Sequence, residues 1–359
     1  MNDCTRRDFV RGGLTAGIGI GIAPELLRSA VGRQAPAQAP GAGADPYAMV
    51  DPELLATVKQ FPYPTQSFSS ETLAAARKWP GVPPLPSPAP QPFERHIPGP
   101  SGAPELRLVM VDPAPGTKGR PALLHMHGGG FVSGFAGQFN PFLQAVAQNC
   151  GCLVVSVDYR LAPETHFPGS LEDNYAALRW LYKNSDELGV DRKRIAIGGE
   201  SAGGSHAALL AMAARDRREI PILFQLLIYP ALDDRTGSTR QAPPYIGQFI
   251  WNAGSNRFGW TSFLGVPAGS PTVPAGAVPA RAENLAGLPP AFIGVGALDL
   301  FVDEDVEYAR RLINAGVPTE LLVVPGAFHG FDMLVPDAAV SKRLMQSWMV
   351  ALRRAFAAG

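Results

Sequence analysis

The chain has 359 residues, of which 46% are hydrophobic and 17% charged, and its formal net charge is zero. This balance excludes an intrinsically disordered polymer and a nucleic-acid binder that works through bulk positive charge. Three cysteines are too few for a disulfide-built scaffold or for a zinc site made of four thiolates.

The first 44 residues are predicted to be an export address rather than part of the fold. Arg6 and Arg7 precede a short glycine-rich apolar run, and a stretch of small residues follows it. This order resembles a twin-arginine export signal, with cleavage after Ala37 or Ala44, and implies a periplasmic or secreted protein. The apolar run is too short for a permanent membrane span, so we expect no stable membrane anchor. A cytosolic tail with two chance arginines is the alternative.

The remaining chain reads as an α/β protein. Residues 45–79 are interpreted as helical, and residues 80–92, which contain seven prolines, as a stiff extended tether. From residue 93, short apolar runs alternate with longer amphipathic stretches, which indicates a mostly parallel sheet with helices on both faces. The predicted strands cover residues 106–111, 122–126, 153–157, 195–197, 223–228, 291–295 and 321–324. The predicted helices include residues 171–184, 202–215, 303–315 and 340–356. Residues 235–290, rich in glycine, proline and aromatic residues, are predicted to be an insertion over the sheet's edge.

A glycine-flanked serine follows one of these strands. Residues 199–203 read Gly-Glu-Ser-Ala-Gly, between the predicted strand at 195–197 and the helix that begins at 202. Such a serine sits on a tight strand-to-helix turn that leaves little room for neighbouring side chains and exposes its hydroxyl above the sheet. The following helix directs backbone N–H groups toward the same point. Ser201 is therefore the candidate nucleophile, and a purely structural turn is the alternative.

A nucleophilic serine needs a base and a residue that orients the base. In this arrangement the acid and then the histidine follow the serine along the chain. His329, in a loop just past the last predicted strand, is the candidate base, whereas His206 lies on the helix that the serine begins and is assigned a structural role. Asp299, at the exit of the preceding strand, is the candidate orienting acid. Asp303 is interpreted as a helix N-cap or a supporting group.

A glycine loop follows the predicted strand at residues 122–126. Acyl transfer builds negative charge on the carbonyl oxygen, and glycines let backbone N–H groups approach that oxygen closely. A flexible turn and a phosphate loop are the alternatives, and the second is disfavoured because no Gly-Lys-Ser/Thr follows. The predicted oxyanion donors are the N–H groups of Gly128, Gly129 and Ala202. The residues predicted to support the loop are His127, Gly130 and Glu200.

These motifs together resemble those of the hormone-sensitive-lipase-like (bacterial family IV) esterases of the α/β-hydrolase fold. The resemblance runs from about residue 93 to the C-terminus. It rests on His-Gly-Gly-Gly-Phe at 127–131, Asp-Tyr-Arg-Leu-Ala-Pro-Glu at 158–164, Gly-Glu-Ser-Ala-Gly-Gly at 199–204, and the acid and histidine motifs around Asp299 and His329. One departure stands out, since the family usually has aspartate where this chain has Glu200.

The resemblance carries further expectations. It implies a helical cap built from the N-terminal helices at 45–92 and from an insertion at about 235–268, around a catalytic domain that spans 93–359. It also implies that Asp158, Arg160 and Glu164 form a buried polar brace beneath the glycine loop. Because members of the family often dimerise through the final helix and strand, a homodimer is a further expectation.

We therefore expect a serine carboxylic ester hydrolase that cleaves short- to medium-chain acyl esters through an acyl-enzyme and needs no cofactor. Its partner is a small-molecule ester, with no nucleic acid involved. An amidase, a lactonase or an acetyl-ester deacetylase would use the same triad. A non-catalytic ligand-binding protein on the same scaffold is a further alternative, which the presence of all three triad residues disfavours.

Overall fold

The computed structural model describes residues 45–359, so the predicted export signal lies outside the described residues. Within that range the chain forms one eight-stranded sheet with helices on both faces, which confirms the predicted fold class. The strands are β1 (Pro92–Ile97), β2 (Leu106–Val111), β3 (Arg120–Met126), β4 (Leu153–Val157), β5 (Val190–Glu200), β6 (Phe224–Ile228), β7 (Ala291–Gly296) and β8 (Thr319–Val324). The helices are α1 (Leu55–Val58), α2 (Ser70–Ala76), α3 (Asn140–Cys150), α4 (Gly169–Lys183), α5 (Ser185–Leu188), α6 (Ala202–Arg217), α7 (Ala253–Leu264), α8 (Val302–Asn314), α9 (Phe331–Leu334) and α10 (Ala339–Ala358).

The order of the strands places the candidate site near the middle of the sheet. Across the sheet the order is β1-β2-β4-β3-β5-β6-β7-β8, and the pairs from β4 to β8 are parallel, whereas β2 is antiparallel to both of its neighbours. The chain order reverses around β3, which lies between β4 and β5. Ligand sites in parallel sheets form at such reversals, beyond the carboxyl ends of the strands. The glycine loop leaves β3 there, and Ser201 leaves the adjacent β5.

Successive side chains of the central strands enter two separate cores. On β3, Leu124 and Met126 face the layer that contains α4, α6 and α8, whereas Leu123 faces the layer of α1, α3 and α10. This alternation follows from the period of two in a β-strand, and both faces are apolar because helices cover both. Each core includes a fully buried tryptophan, Trp260 in the first and Trp348 in the second. The sheet is therefore held rigidly from both sides.

Two parts of the sequence interpretation differ from the structure. Residues 45–79 form only the short helices α1 and α2, because four prolines (at 46, 52, 62 and 64) interrupt the segment and cannot donate helical hydrogen bonds. The edge strand β1 was not predicted, since four of its six residues are exposed and it lacks an apolar run. Within residues 45–359, no helix is both long and apolar enough for a membrane span.

The segment before β1 and the segment after β6 meet above the carboxyl ends of the strands. The Ile250 N–H donates to Thr65 Oγ1 at 2.9 Å, and the Ser67 hydroxyl donates to Asn252 Oδ1 at 2.9 Å. Asn252 also caps α7 by accepting the Ser255 N–H. Two segments that are 185 residues apart in sequence thus form one hydrogen-bonded cover.

The expectation of a buried polar brace at Asp158, Arg160 and Glu164 is wrong. These side chains belong to separate ion pairs, and the Glu164 side chain is 63% exposed. Each charge reaches a partner on a different element, so no common network forms between them. The three pairs are Arg107–Asp158, Arg160–Asp173 and Arg77–Glu164.

Candidate active site

Ser201 lies on a sharp turn between β5 and α6. Its backbone has φ of +57° and ψ of −122°, a region that residues with a side chain rarely adopt. The turn packs against the end of β3 so closely that a Cβ atom on Gly199 would lie 2.3 Å from the Met126 carbonyl oxygen, and one on Gly203 2.0 Å from it. Only glycine fits at these two positions, which explains the spacing of the motif.

The structure brings the three predicted triad residues together. His329 Nε2 lies 2.9 Å from Ser201 Oγ, and His329 Nδ1 lies 2.8 Å from Asp299 Oδ2. The other carboxylate oxygen, Asp299 Oδ1, accepts the Phe301 N–H at 3.0 Å. All three triad side chains are buried. By contrast, Asp303 lies in the first turn of α8 with its side chain 84% exposed, where it pairs with Arg240.

The glycine loop differs from the prediction at one of its proposed donors. The Gly128 N–H donates to Glu200 Oε1 at 3.2 Å, so it is already committed to a carboxylate and the prediction of this donor is wrong. In the described part of the chain, the N–H groups of Gly129 and Gly130 have no such acceptor. The Ala202 N–H belongs to the first turn of α6, whose N–H groups have no partner within the helix. The free donors beside Ser201 are therefore those of Gly129, Gly130 and Ala202.

Side chains hold the glycine loop in a single conformation. The His127 Nδ1–H donates to the Gly128 carbonyl at 2.8 Å, and the Gln138 amide donates to the same oxygen at 3.2 Å. Burial lowers the pKa of His127 to about 4, so its ring is neutral at ordinary pH. The Ser133 hydroxyl donates to the Gly129 carbonyl at 2.9 Å. A loop fixed in this way presents its N–H groups without having to reorganise during a reaction.

His206 lies away from the triad. Its ring is fully buried and contacts Phe131, Tyr159 and Phe263 in edge-on geometry. Burial lowers the pKa of His206 to about 3, which keeps the ring neutral in this aromatic cluster. It is a packing residue of the α6 face.

A cavity of about 450 Å³ opens above Ser201 and His329. Its walls come from the glycine loop, from α9 and from both cover segments, and most are apolar. Arg77 also reaches the cavity, but its guanidinium is engaged by Glu164 and by the carbonyls of Val132 and Ala162. The aromatic lining residues include Phe61, Phe68, Trp79, Phe135, Tyr229 and Trp251.

Sequence reasoning missed a buried polar pair beside the catalytic histidine. The Tyr229 hydroxyl donates to Asp332 Oδ1 at 2.9 Å, and the Tyr229 ring lies edge-on to the His329 ring at 4.9 Å. Burial raises the pKa of Asp332 to about 6. A carboxylate three residues after His329 was a usable signal, but only the fold reveals that Tyr229, on the turn after β6, lies beside it.

This arrangement has the components of nucleophilic acyl transfer. A serine hydroxyl touches an imidazole that a buried carboxylate orients, and unpaired N–H groups lie on the other side of the same serine. The cavity beside them is large enough for a small apolar molecule.

Comparison with known proteins agrees with the geometry. A family model described as alpha/beta hydrolase fold matches residues 123–333. Esterase LipI of Mycobacterium tuberculosis is 37% identical over 267 residues, which cover 72% of this chain and 80% of the relative. Carboxylesterase NlhH of the same species is 40% identical over 231 residues, covering 61% and 70% respectively.

The solved structure of a bacterial heroin esterase is similar over most of the chain. It superposes with a TM-score of 0.78 at 38% identity, covering 87% of this chain and 99% of that one. The matched family model spans the glycine loop, the nucleophile turn and the histidine loop together. On these grounds the chain belongs to the α/β-hydrolase family.

Proposed function

We propose that this protein is a serine carboxylic ester hydrolase that works through an acyl-enzyme. Ser201 attacks the ester carbonyl while His329 Nε2 takes the hydroxyl proton. The same proton then passes from His329 to the leaving alcohol. Water repeats the sequence on the acyl-enzyme and releases the acid. Asp299 keeps the proton of the resting imidazole on Nδ1 and stabilises the imidazolium that forms.

The developing oxyanion is proposed to bind the N–H groups of Gly129, Gly130 and Ala202. Each such donor typically contributes about 3–4 kcal/mol to the transition state. Because these N–H groups have no acceptor among the described residues, they lose no existing hydrogen bond when the oxyanion forms. Donors that are already in place therefore stabilise the negative charge of the tetrahedral intermediate.

One observation carries the proposal: the continuous chain from Ser201 Oγ through His329 to Asp299, with contacts of 2.9 and 2.8 Å, at the base of a mostly apolar cavity. Relatives named esterase and carboxylesterase support hydrolysis of carboxylic esters. The ethyl acetate hydrolase of Pseudomonas putida, 34% identical over 218 residues, is consistent with small esters.

The cavity favours esters with short to medium acyl chains. Its volume of about 450 Å³ must hold both the acyl and the alcohol part, and aromatic rings form much of its lining. Among the described residues that line it, Arg77 is the only lysine or arginine, and a bidentate contact with Glu164 neutralises it, so these residues offer no free cation to a charged acyl group. We propose that the preferred substrates are neutral.

The two cover segments are proposed to form the cap of this cavity. Phe61, Phe68 and Trp79 come from the segment before β1, and Ile250 and Trp251 from the segment after β6. The hydrogen bonds that join the segments support their acting as one unit. A further proposal, resting on the sequence alone, is export by the twin-arginine route.

A homodimer is proposed to form at the β8 edge of the sheet. Among residues 45–359, β8 pairs with β7 alone, and five of its six residues are half-buried in the single chain. A second copy that adds its own β8 would cover this edge and satisfy its unpaired backbone groups. Light scattering on the purified protein distinguishes dimer from monomer, and fractionation of the producing cells tests the export proposal.

Removing the nucleophile tests the proposed function. Ser201→Ala is expected to lower the hydrolysis of p-nitrophenyl butyrate on the order of 10⁶-fold, because the triad acts as a unit. Ser101→Ala, at an exposed serine between β1 and β2, is the matched control and is expected to keep native activity. A Ser201→Ala protein that keeps a tenth of the activity would refute the assignment.

Parallel assays with an anilide, a lactone and an acetylated sugar of matched acyl group separate esterase from amidase, lactonase and deacetylase activity.

A further inference from the structure

Three buried polar side chains form a hydrogen-bonded chain across the centre of the sheet. His125 lies on β3, Ser156 lies opposite it on β4, and Glu200 ends β5. His125 Nδ1 is 2.9 Å from Ser156 Oγ, and His125 Nε2 is 2.8 Å from Glu200 Oε2. The remaining carboxylate oxygen, Oε1, accepts the Gly128 N–H at 3.2 Å. The chain therefore links three strands to the glycine loop.

The register of the sheet explains why these residues meet. His125 pairs with Ser156 on one side and with Gly198 on the other. Residues two apart on a strand share a face, so Glu200 lies on the same face as Gly198 and next to the His125 ring. Gly198 carries no side chain that could come between them. The carboxylate of Glu200 can thus reach sideways to β3 and forward to the loop at once.

We propose that Glu200 is a positioning residue for the oxyanion loop. Its carboxylate, held by His125, fixes the Gly128 peptide and so directs the next two N–H groups, those of Gly129 and Gly130, at the reacting carbonyl. This inference rests on the proposed function, since it concerns the transition state of that reaction. Glu200 acts through the loop and transfers no proton.

The contacts of the Gly128 peptide support this role. The Gly128 carbonyl oxygen is held by His127 and Gln138, and it shares a peptide group with the Gly129 N–H. The Gly128 N–H shares the preceding peptide group with the His127 carbonyl, which accepts the Tyr159 hydroxyl at 2.6 Å, and Glu200 is the one acceptor of that N–H among the described residues. Removing the carboxylate would leave a buried N–H without a partner, and the peptide would rotate to find one. Because the donors of the next two residues follow directly, that rotation would move them away from the oxyanion. Misplacement by about 1 Å commonly costs on the order of a hundredfold in rate.

Two substitutions of Glu200 separate the effect of its side-chain length from the effect of its negative charge. Glu200→Asp keeps the negative charge but withdraws the carboxylate by one methylene, so it cannot hold both His125 and the Gly128 N–H. Glu200→Gln removes the charge but keeps the length, and its carbonyl oxygen can still accept from Gly128 while its NH₂ donates to His125 Nε2. His125 then carries its proton on Nδ1 and donates it to Ser156. If positioning is the role, the aspartate variant is the damaged one.

The test compares kcat and KM for p-nitrophenyl butyrate in these variants. Glu200→Asp is expected to lower kcat by tenfold to about a hundredfold with KM within about twofold, because the transition state alone needs the donors. Glu200→Gln is expected to recover kcat to within about threefold of native. Phenylboronic acid, whose tetrahedral adduct places an oxygen where the oxyanion forms, should bind more weakly to Glu200→Asp in proportion to its loss of kcat/KM. Glu307→Asp, the same change at an exposed site on α8, is the matched control.

Several outcomes overturn the inference. A Glu200→Gln protein as damaged as Glu200→Asp would mean that charge matters rather than reach, and a Glu200→Asp protein within about threefold of native would mean that neither does. Should Glu200→Asp not fold, His125→Asn removes the histidine that holds the Glu200 carboxylate and leaves Glu200 itself intact. A fall in kcat at constant KM then supports the inference, and an unchanged kcat contradicts it.

Ser201→Ala is measured alongside these variants. If it is active, the proposed function fails; if it is inactive while both Glu200 variants behave like native, only the role of Glu200 fails.

Discussion

Replacing Asp299 with asparagine is expected to change which nitrogen of His329 carries the proton. Asp299 Oδ1 accepts the Phe301 N–H at 3.0 Å, and Oδ2 accepts the His329 Nδ1–H at 2.8 Å. In the variant, the amide must keep its carbonyl oxygen toward Phe301, since its NH₂ there would face another donor. Its NH₂ then faces His329 Nδ1 and requires that nitrogen to be unprotonated. The proton is forced onto Nε2, which can no longer accept one from Ser201.

The size of the effect follows from this change of tautomer. The shape of the site is kept, so substrate binding should be little altered. In serine hydrolases, the wrong tautomer lowers kcat by about 10⁴-fold, which corresponds to about 5 kcal/mol at the transition state. We expect the same loss here with KM within about threefold of native.

The assay is release of p-nitrophenol from p-nitrophenyl butyrate at saturating substrate, with melting temperature measured on the same samples. Asp303→Asn is the matched control, because Asp303 is four residues away, exposed, and paired only with Arg240. It is expected to keep native kcat. An Asp299→Asn protein that keeps more than a tenth of kcat, or a larger loss in Asp303→Asn, would refute the assignment of the acid.

Three further predictions concern the surroundings of the triad. Burial raises the pKa of Asp332 to about 6, above its usual value of 3.8, so the native protein should lose roughly 2 kcal/mol of stability relative to Asp332→Asn as pH rises from about 4 to about 7. Urea unfolding at both pH values measures this loss, and a constant difference between the two proteins contradicts it. Gly129→Ala places a Cβ 2.1 Å from the Ser133 carbonyl at φ of +127° and should lower kcat by at least about a hundredfold; near-native kcat would contradict the loop's role. Trp79→Ala removes a wall of the cavity, so the kcat/KM ratio of p-nitrophenyl octanoate to butyrate should rise about tenfold, and an unchanged ratio would place the acyl chain elsewhere.

Most of the sheet and the triad could be predicted from the sequence, for physical reasons. Strands covered on both faces are nearly all apolar, so runs such as β4 and β7 stand out locally. The sharp turn at Ser201 requires glycines two residues before and after the serine, and His329 lies just past a predicted strand. Both signals involve only a few neighbouring residues. The order of serine, acid and histidine along the chain then selects Asp299. Each of these signals is local or depends only on order.

The remaining features depend on contacts between distant segments. β1 is mostly exposed and therefore has no apolar signature, although it completes the sheet. The hydrogen bond from the Gly128 N–H to Glu200 could be predicted only from the knowledge that β3 and β5 are neighbours and that residue 200 faces the loop. The partner of Glu164 is Arg77, which lies 87 residues earlier in the chain. Such contacts form only when distant segments come together in the fold, so they cannot be predicted from the local sequence pattern.

Covalent labelling identifies the nucleophile of the protein, which we expect to be Ser201. The full chain is treated with diethyl p-nitrophenyl phosphate, which phosphorylates an activated serine and releases p-nitrophenol, and is then digested for mass spectrometry. We expect one diethyl phosphoryl group per chain, located on Ser201, with activity lost in step with labelling and with no label in Ser201→Ala. Complete inactivation with the label on another residue, or with Ser201 unmodified, would contradict it.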